Sequence, residues 1–519
     1  MKASSDDDAE FLRLRGHAYA RRGDWDRAIR AYSRAITFIT DDPELHYHLG
    51  EALSSVKDYE AAIEHFTAAI RLRPDDLQAI HARGRAYLES ECLEEAIADF
   101  EEAVRVDPKH SESHHALGVI AAREEEYEQA IDHFTAGLLH DPKSVGTLLN
   151  RGNARMLTEE MELALEDFSE VIRLQPQHSG GYAARGQAHT LMESSEEAME
   201  DLSIALRLDS SNAELFWTRG KLWLDQDNWP RAIADFTCVI RLDPKHAEAR
   251  NQRGVAYAES DELEKALIDF TASINLNSKE ASSHFNRGVA RLQLREFKEA
   301  ITDFRRVLEL REDDLTALTQ IGFAYGELGE SDKAFATFDE VLKTQPDSGE
   351  VYLARAVLHR RLNHREEALK DLNRALEMEP EDLIGLNLRA SIHYESGDAK
   401  TALADYQAAH EIDPEDPLVL NHLAWIRATN WDDQIRDGEQ AILEAETACD
   451  LTDWELPGLL DTLATAYAEF GQFPKAIEMQ QKAIELLDEA DPEYLARLNL
   501  YVENKPYRDT PGSMEGDDV

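Results

Sequence analysis

The chain has little that could cross-link or anchor it. Three cysteines among 519 residues, Cys92, Cys238 and Cys449, stand far apart and outline neither a disulfide framework nor a metal knuckle. No apolar run approaches the 18 or more residues of a membrane span. Positive charge is scarce: 55 Lys and Arg face 104 Asp and Glu, a formal balance of −49. A surface of that sign repels phosphate, which argues against nucleic acid and anionic membranes as partners. Met1–Glu10 has four acids and no apolar stretch, so no secretory signal is expected and the chain reads as cytoplasmic. No His-Glu-x-x-His, phosphate loop, nucleophile elbow or paired-carboxylate constellation stands out, and no metal or other cofactor is expected. Apolar residues at 43% nevertheless make this a folding chain.

What is present is a period. Glycine recurs at 16, 50, 84, 118, 152, 186, 220, 254, 288 and 322, each step being 34 residues, and the ladder continues as Ala356, Ala390 and Ala424. Twelve residues after each rung from Gly16 to Ala390 stands alanine, from Ala28 to Ala402, and four further on a large side chain such as Phe66, Phe100 or Phe168. Proline recurs at 74, 108, 142, 176, 244, 346, 380 and 414. Each period holds two helical stretches of about a dozen residues with apolar spacing i, i+3, i+4, i+7. Small rungs mark close helix approach and the aromatic fills the space beside it. Gly23, Gly329 and Gly397 sit where the first helix should stop, and proline ends the second. A helix pair this short cannot bury its own stripe, so neighbours must stack on it.

This pattern resembles the tetratricopeptide repeat (TPR), over nearly the whole chain. The resemblance implies an all-α, right-handed α-solenoid superhelix of about fourteen helix-turn-helix repeats: 9–416 as twelve in strict register, then 417–490 as two divergent ones with an insertion near 430–438. A capping helix is expected over 491–503, with Leu495, Leu498 and Val502 as its stripe, between disordered tails at 1–8 and 504–519. Leu423–Ile426, Arg436-Asp437-Gly438, Leu460–Ala464 and Lys505–Arg508 resemble the closing module of many large bacterial TPR proteins, which suggests a bacterial source. Trp425, Trp431 and Trp454 there read either as a packed end or as a docking edge. A pentatricopeptide array has a nearby period, but its basic RNA face is missing.

One relation comes from the residues alone. Arginine precedes the small rung at 15, 83, 151, 185, 219, 253, 287, 355 and 389, and aspartate follows sixteen residues later in eight of these nine periods. Where arginine is replaced, so is aspartate: Leu49 goes with His65, Leu117 with His133, Ile321 with Thr337. Structural ion pairs within one repeat are therefore expected for Arg83 with Asp99, Arg151 with Asp167, Arg185 with Asp201, Arg219 with Asp235, Arg253 with Asp269, Arg287 with Asp303, Arg355 with Asp371 and Arg389 with Asp405. Only Arg15, facing Ala31, lacks its aspartate.

The resemblance further implies that first helices line a groove, through offsets −6, −3, −2, +1, +4 and +5 from the small rung. Over thirteen repeats these positions hold seven basic and twelve acidic residues, so most of the acid lies elsewhere. Repeats 5 and 6 show no charge there, including Asn150, Asn153 and Gln187. Trp217, Lys221, Asn251, Gln252, Phe285, Asn286, Gln320 and Phe323 continue the set of peptide-binding candidates. Amides can pair with any peptide backbone, and aromatic rings anchor apolar side chains. The set is similar, in part, to the asparagine-lined TPR groove of O-GlcNAc transferases, although Ala184 and Thr218 interrupt it and no transferase domain is present. The Lys/Asn/Arg clamp of chaperone-binding TPR domains is not seen, whereas Glu44, Glu112, Glu214, Glu248 and Glu350 stand at the groove edge. The expected function is a non-catalytic scaffold for a protein or peptide partner, basic or neutral rather than acidic. The alternative is a substrate-recruiting subunit of a separately encoded transferase or kinase. The first repeat shows no capping helix, which leaves homo-dimerisation through that end open. His81 and His115 are equivalent in adjacent repeats but too far apart to share an ion.

Overall fold

A computed structural model of the chain describes residues 2–487 and 491–509. Among these residues every regular element is an α-helix, 29 in all, from Lys2–Ala20 to Pro492–Val502. The helices alternate as the first and second helices of fourteen repeats, and Pro492–Val502 follows the last. The chain divides into two compact bodies, Met1–Glu262 and Leu263–Val519, with the boundary inside repeat 8. Within each body a first helix packs on the second helix after it and on the second helix before it. No helix among the described residues is long and apolar enough to cross a membrane.

Local chemistry sets each helix end. Asp76, Asp314 and Asp382 accept backbone N–H groups of the first turn they precede. The turn between the two helices needs one residue in the left-handed region. Glycine supplies it at Gly23, Gly329 and Gly397, with φ of 72°, 73° and 84°. Lys57, Glu91, Glu125 and Glu159 adopt the same conformation with a side chain, at φ of 61–67°.

The alanine ladder is the inner wall: Ala28, Ala62, Ala96 and their equivalents through Ala402 are all 0% exposed. The glycine ladder answers the aromatic one. A methyl group built on Gly152 would lie 2.5 Å from Phe168 Cε1, and on Gly50 2.6 Å from Phe66 Cε1. At Ala356 the ring is replaced by Leu372, and Gly186 likewise faces Leu202, whereas Ala390 keeps an aromatic, Tyr406, at that position.

The arginines face their aspartates in bidentate geometry. Arg83 Nε and Nη2 donate to Asp99 at 2.8 and 2.7 Å, Arg219 to Asp235 at 2.8 and 2.8 Å, and Arg355 to Asp371 at 2.7 and 2.7 Å. Arg151–Asp167, Arg185–Asp201, Arg287–Asp303 and Arg389–Asp405 repeat the geometry. Arg253 and Asp269 fall in different bodies. Each guanidinium has a further partner that the sixteen-residue rule did not include. Nη1 reaches back sixteen residues, into the preceding repeat: Arg83 to Thr67, Arg151 to Thr135, Arg185 to Ser169, Arg219 to Ser203, Arg389 to Asn373. Arg15 turns instead to the Tyr19 hydroxyl.

The ends differ from expectation. The first helix begins at Lys2, because no glycine or proline in the expected N-terminal tail stops it; Met1 lies outside the described residues. The cap helix is present, but its buried face is rotated by one residue. Leu495 and Val502 are 40% and 60% exposed, while Arg497 and Tyr501 are 6% and 0% exposed. The reason is polar: Arg497 Nε donates to buried Asp461 at 2.9 Å, and the Tyr501 hydroxyl lies 2.8 Å from Thr465 Oγ1. Asn504–Asp509 is docked on the second body and is not a free tail, with Asp509 only 9% exposed; 510–519 lie outside the described residues, as do 488–490. The insertion is tied down by Arg436, whose Nη1 donates to the carbonyls of Asn430 and Trp431, leaving Trp431 55% exposed.

Two stability outcomes are expected. Asp235→Ala strands a guanidinium between two repeats and should lower unfolding free energy by about 3–5 kcal/mol; a loss under about 0.5 kcal/mol in denaturant titration would show the pair to be solvated. Gly152→Ala should destabilise by about 1–3 kcal/mol by overpacking, although alanine is the better helix former by about 1 kcal/mol. In a Phe168→Leu background the penalty should shrink, giving a coupling of about 1 kcal/mol in the double-mutant cycle. Strict additivity would mean that methyl and ring do not compete.

Candidate ligand-binding groove

The first helices of repeats 3, 4 and 5, Leu77–Glu89, Ser111–Arg123 and Val145–Leu157, enclose a cleft of about 380 Å³. His81, Arg85, Leu88, Glu112, His115 and Val119 line it, all at the offsets expected of a groove. Phe100 closes the floor and Asp141 stands at the rim. The walls are thus apolar at depth, with two carboxylates and one guanidinium at the mouth. Glu112 is held below the usual carboxylate range by its own backbone N–H and the Ser111 hydroxyl.

A relay of short polar contacts holds the two histidines. The Ser113 backbone N–H donates to His110 Nδ1 at 3.3 Å, so that nitrogen carries no proton. The Ser113 hydroxyl, 2.8 Å from the same nitrogen, must then donate to it. Its oxygen is left to accept from His81 Nδ1–H at 2.9 Å. His81 is therefore the Nδ1–H tautomer, with Nε2 as its lone-pair acceptor. Burial, helped by neighbouring His110 and Arg85, pushes its pKa down to about 4, so the ring is neutral at pH 7. One repeat on, His115 Nδ1 lies 2.9 Å from Thr147 Oγ1, which lies 2.8 Å from Ser144 Oγ. Burial lowers the pKa of His115 as well. Each relay joins one repeat to the next and fixes a cleft wall. The sequence carried one signal of it: Ser113 and Thr147 stand where Ala79, Ala249 and Ala317 stand in other repeats.

The other groove candidates divide by depth. Asn153, Lys221 and Phe323 are exposed, the last by 45%. Asn150, Gln187, Gln252, Phe285, Asn286 and Gln320 are half-buried. Trp217 and Asn251 are 8% and 4% exposed and offer a ligand almost no surface. The Trp217 ring packs 5.5 Å from Phe236 and 5.1 Å from His246. The cause is general to offset −3: the side chain leans back over the preceding turn onto the aromatic of its own repeat. His81 does so on Phe100, His115 on Phe134 and Phe285 on Phe304, at 5.3, 5.7 and 5.5 Å. In the uncharged repeats 5 and 6, Leu157 and Leu191 at offset +5 are 61% and 63% exposed and add an apolar rim. Trp425 and Trp454 pack against the C-terminal helices, Trp454 half-buried against the core cluster there. No three His, Cys, Asp or Glu side chains among the described residues converge as a metal site.

Comparison with known proteins places this geometry in a family. A TPR repeat model matches residues 16–56, and tetratricopeptide repeat models match 43–76, 81–144, 218–276, 281–314, 316–348 and 353–417. No curated protein matches the chain. Among solved structures, YrrB, described as a TPR protein with an unusual peptide-binding site, is 23% identical over 36% of this chain and 95% of its own, with a TM-score of 0.34. The Cut9–Hcn1 hetero-tetramer of APC/C gives 15% identity over 80% of this chain and 95% of the matched one, at a TM-score of 0.39. A tetratricopeptide repeat protein from Parabacteroides merdae gives 18% identity over 48% of this chain and 98% of its own, at 0.35. The repeat models together cover more than half of the chain, which belongs to the tetratricopeptide repeat family.

Proposed function

We propose that the protein is a non-catalytic interaction scaffold that binds an extended segment of a partner protein along the first helices of repeats 3–5. The observation that carries this reading is the cleft itself. Three successive repeats build it from equivalent positions, and hydrogen bonds between repeats hold its walls before any ligand arrives. A prebuilt site loses little entropy on binding. Its depth suits one apolar or aromatic side chain, and the neutral His81 ring offers an acceptor to a donor at that side chain's end. Glu112 and Asp141 at the mouth favour a basic or neutral segment over an acidic one. The half-buried amides of repeats 5 and 6, Asn150 and Gln187, extend the same track toward backbone recognition.

The test is selection of peptides from a random library on the full chain, followed by titration against Val119→Arg, which fills the cleft from a half-buried position. A selected peptide should bind the variant about tenfold or more weakly, 1.4 kcal/mol or above, with circular dichroism unchanged. Equal affinity for both proteins would move the ligand out of this cleft.

A further inference from the structure

After the cap helix the chain turns back at Asn504, whose φ of 56° is left-handed, and runs without regular structure through Asp509. The segment lies across first-helix positions of three consecutive repeats. Arg508 Nη2 donates to both oxygens of Glu469, in repeat 14, at 3.1 and 2.8 Å. The Tyr507 ring packs 5.9 Å from Trp425, in repeat 13, with the Arg497 guanidinium 5.4 Å from its centre. The Asp509 backbone N–H donates to the Thr429 carbonyl at 2.9 Å. The Asp509 carboxylate accepts the Tyr394 hydroxyl, in repeat 12, at 2.6 Å, and Thr429 Oγ1 lies 2.6 Å from the same oxygen.

The receiving residues share a register. Trp425 is at offset +1 from its small rung, Tyr394 at +4, and Thr429 and Glu469 at +5. These are groove positions, and an extended segment already fills them. The hold is side chain to side chain apart from a single backbone hydrogen bond, and Arg508 keeps 41% of its side chain in solvent. Tyr507 also packs against the C-terminal core cluster, so the segment is seated by one aromatic anchor on that core and by a few polar anchors beside it.

We propose that the first helices of repeats 12–14 form a second peptide-binding site, which the chain's own Tyr507-Arg508-Asp509 occupies in cis, and that its partner is an extended protein segment with the same aromatic–arginine–aspartate order. The aromatic enters beside Trp425 and Arg497. The arginine pairs with Glu469, and the aspartate takes the hydroxyls of Tyr394 and Thr429. This site is separate from the cleft of repeats 3–5, and the two readings stand or fall independently.

The test uses the full chain and a fluorescein-labelled peptide copying residues 503–511. The double variant Tyr507→Ala/Asp509→Ala, which releases the segment, should bind the peptide at least about tenfold more tightly than the wild type does. A peptide with asparagine in place of its aspartate should lose about tenfold or more. Equal binding to both proteins, or no binding to a variant that melts cooperatively, overturns the proposal. Should the variant not fold, the wild type decides. Excess peptide, with citrulline replacing its arginine, should speed tryptic release of the fragment 509–519, and an unchanged rate overturns it. A wild-type dimer that the double variant loses would place the segment on a second copy, which overturns occupancy in cis.

Discussion

In seven repeats (3, 5, 6, 7, 9, 11 and 12) one guanidinium couples the structure in two directions. Its Nε and Nη2 close on the aspartate of the second helix of the same repeat, and its Nη1 reaches a hydroxyl, amide or carboxylate sixteen residues earlier, in the repeat before. The first contact fixes how the two helices of a pair face each other. The second fixes how one pair sits on the next. A lysine could not make both, since its single ammonium lacks the planar fork. The glycine–aromatic contact needs the same helix register but not the fork, since Gly50, Gly118 and Gly322 face their rings as closely in repeats that lack the arginine.

The fold was legible because the period multiplies every signal. A single glycine or alanine means little, but the same residue at one spacing across the chain leaves stacked helix pairs as its physical explanation. The ion pairs were legible for a subtler reason: replacement of Arg by Leu49 or Ile321 travels with loss of the aspartate. The backward reach of Nη1 was not read, because its partners vary among Thr67, Ser169, Asn373 and Asp339 and present no single letter to the eye.

Where the sequence misled, burial of polar groups was the cause. The cap helix was read from its leucines, yet it turns its arginine and tyrosines inward, because Asp461 lies buried beneath and needs a cation. Residues 504–509 looked like a polar tail, whereas their carboxylate, guanidinium and ring each find a partner on another element. Trp217 looked like an anchor for a ligand and is instead part of the core, since periodicity reports which stripe a residue lies on and not how deep its side chain folds back. The cleft escaped notice for the opposite reason: its histidines were seen, but the serine and threonine that hold them lie a repeat away.

Repeats 2, 4 and 10 carry Leu49, Leu117 and Ile321 in place of the arginine, so the seams before them have no such fork. Other contacts stand in: a His17–His48 ring contact at 4.5 Å, the His81–Ser113 bond, and Arg305 donating to the Tyr325 hydroxyl at 2.7 Å. An array of this kind folds as a chain of neighbours, each seam deciding how far order propagates. The seam between repeats 3 and 4 runs through the floor of the cleft. A molecule seated there touches both sides of it and acts as a splint, so its binding free energy is at the same time a gain in the cooperativity of the array.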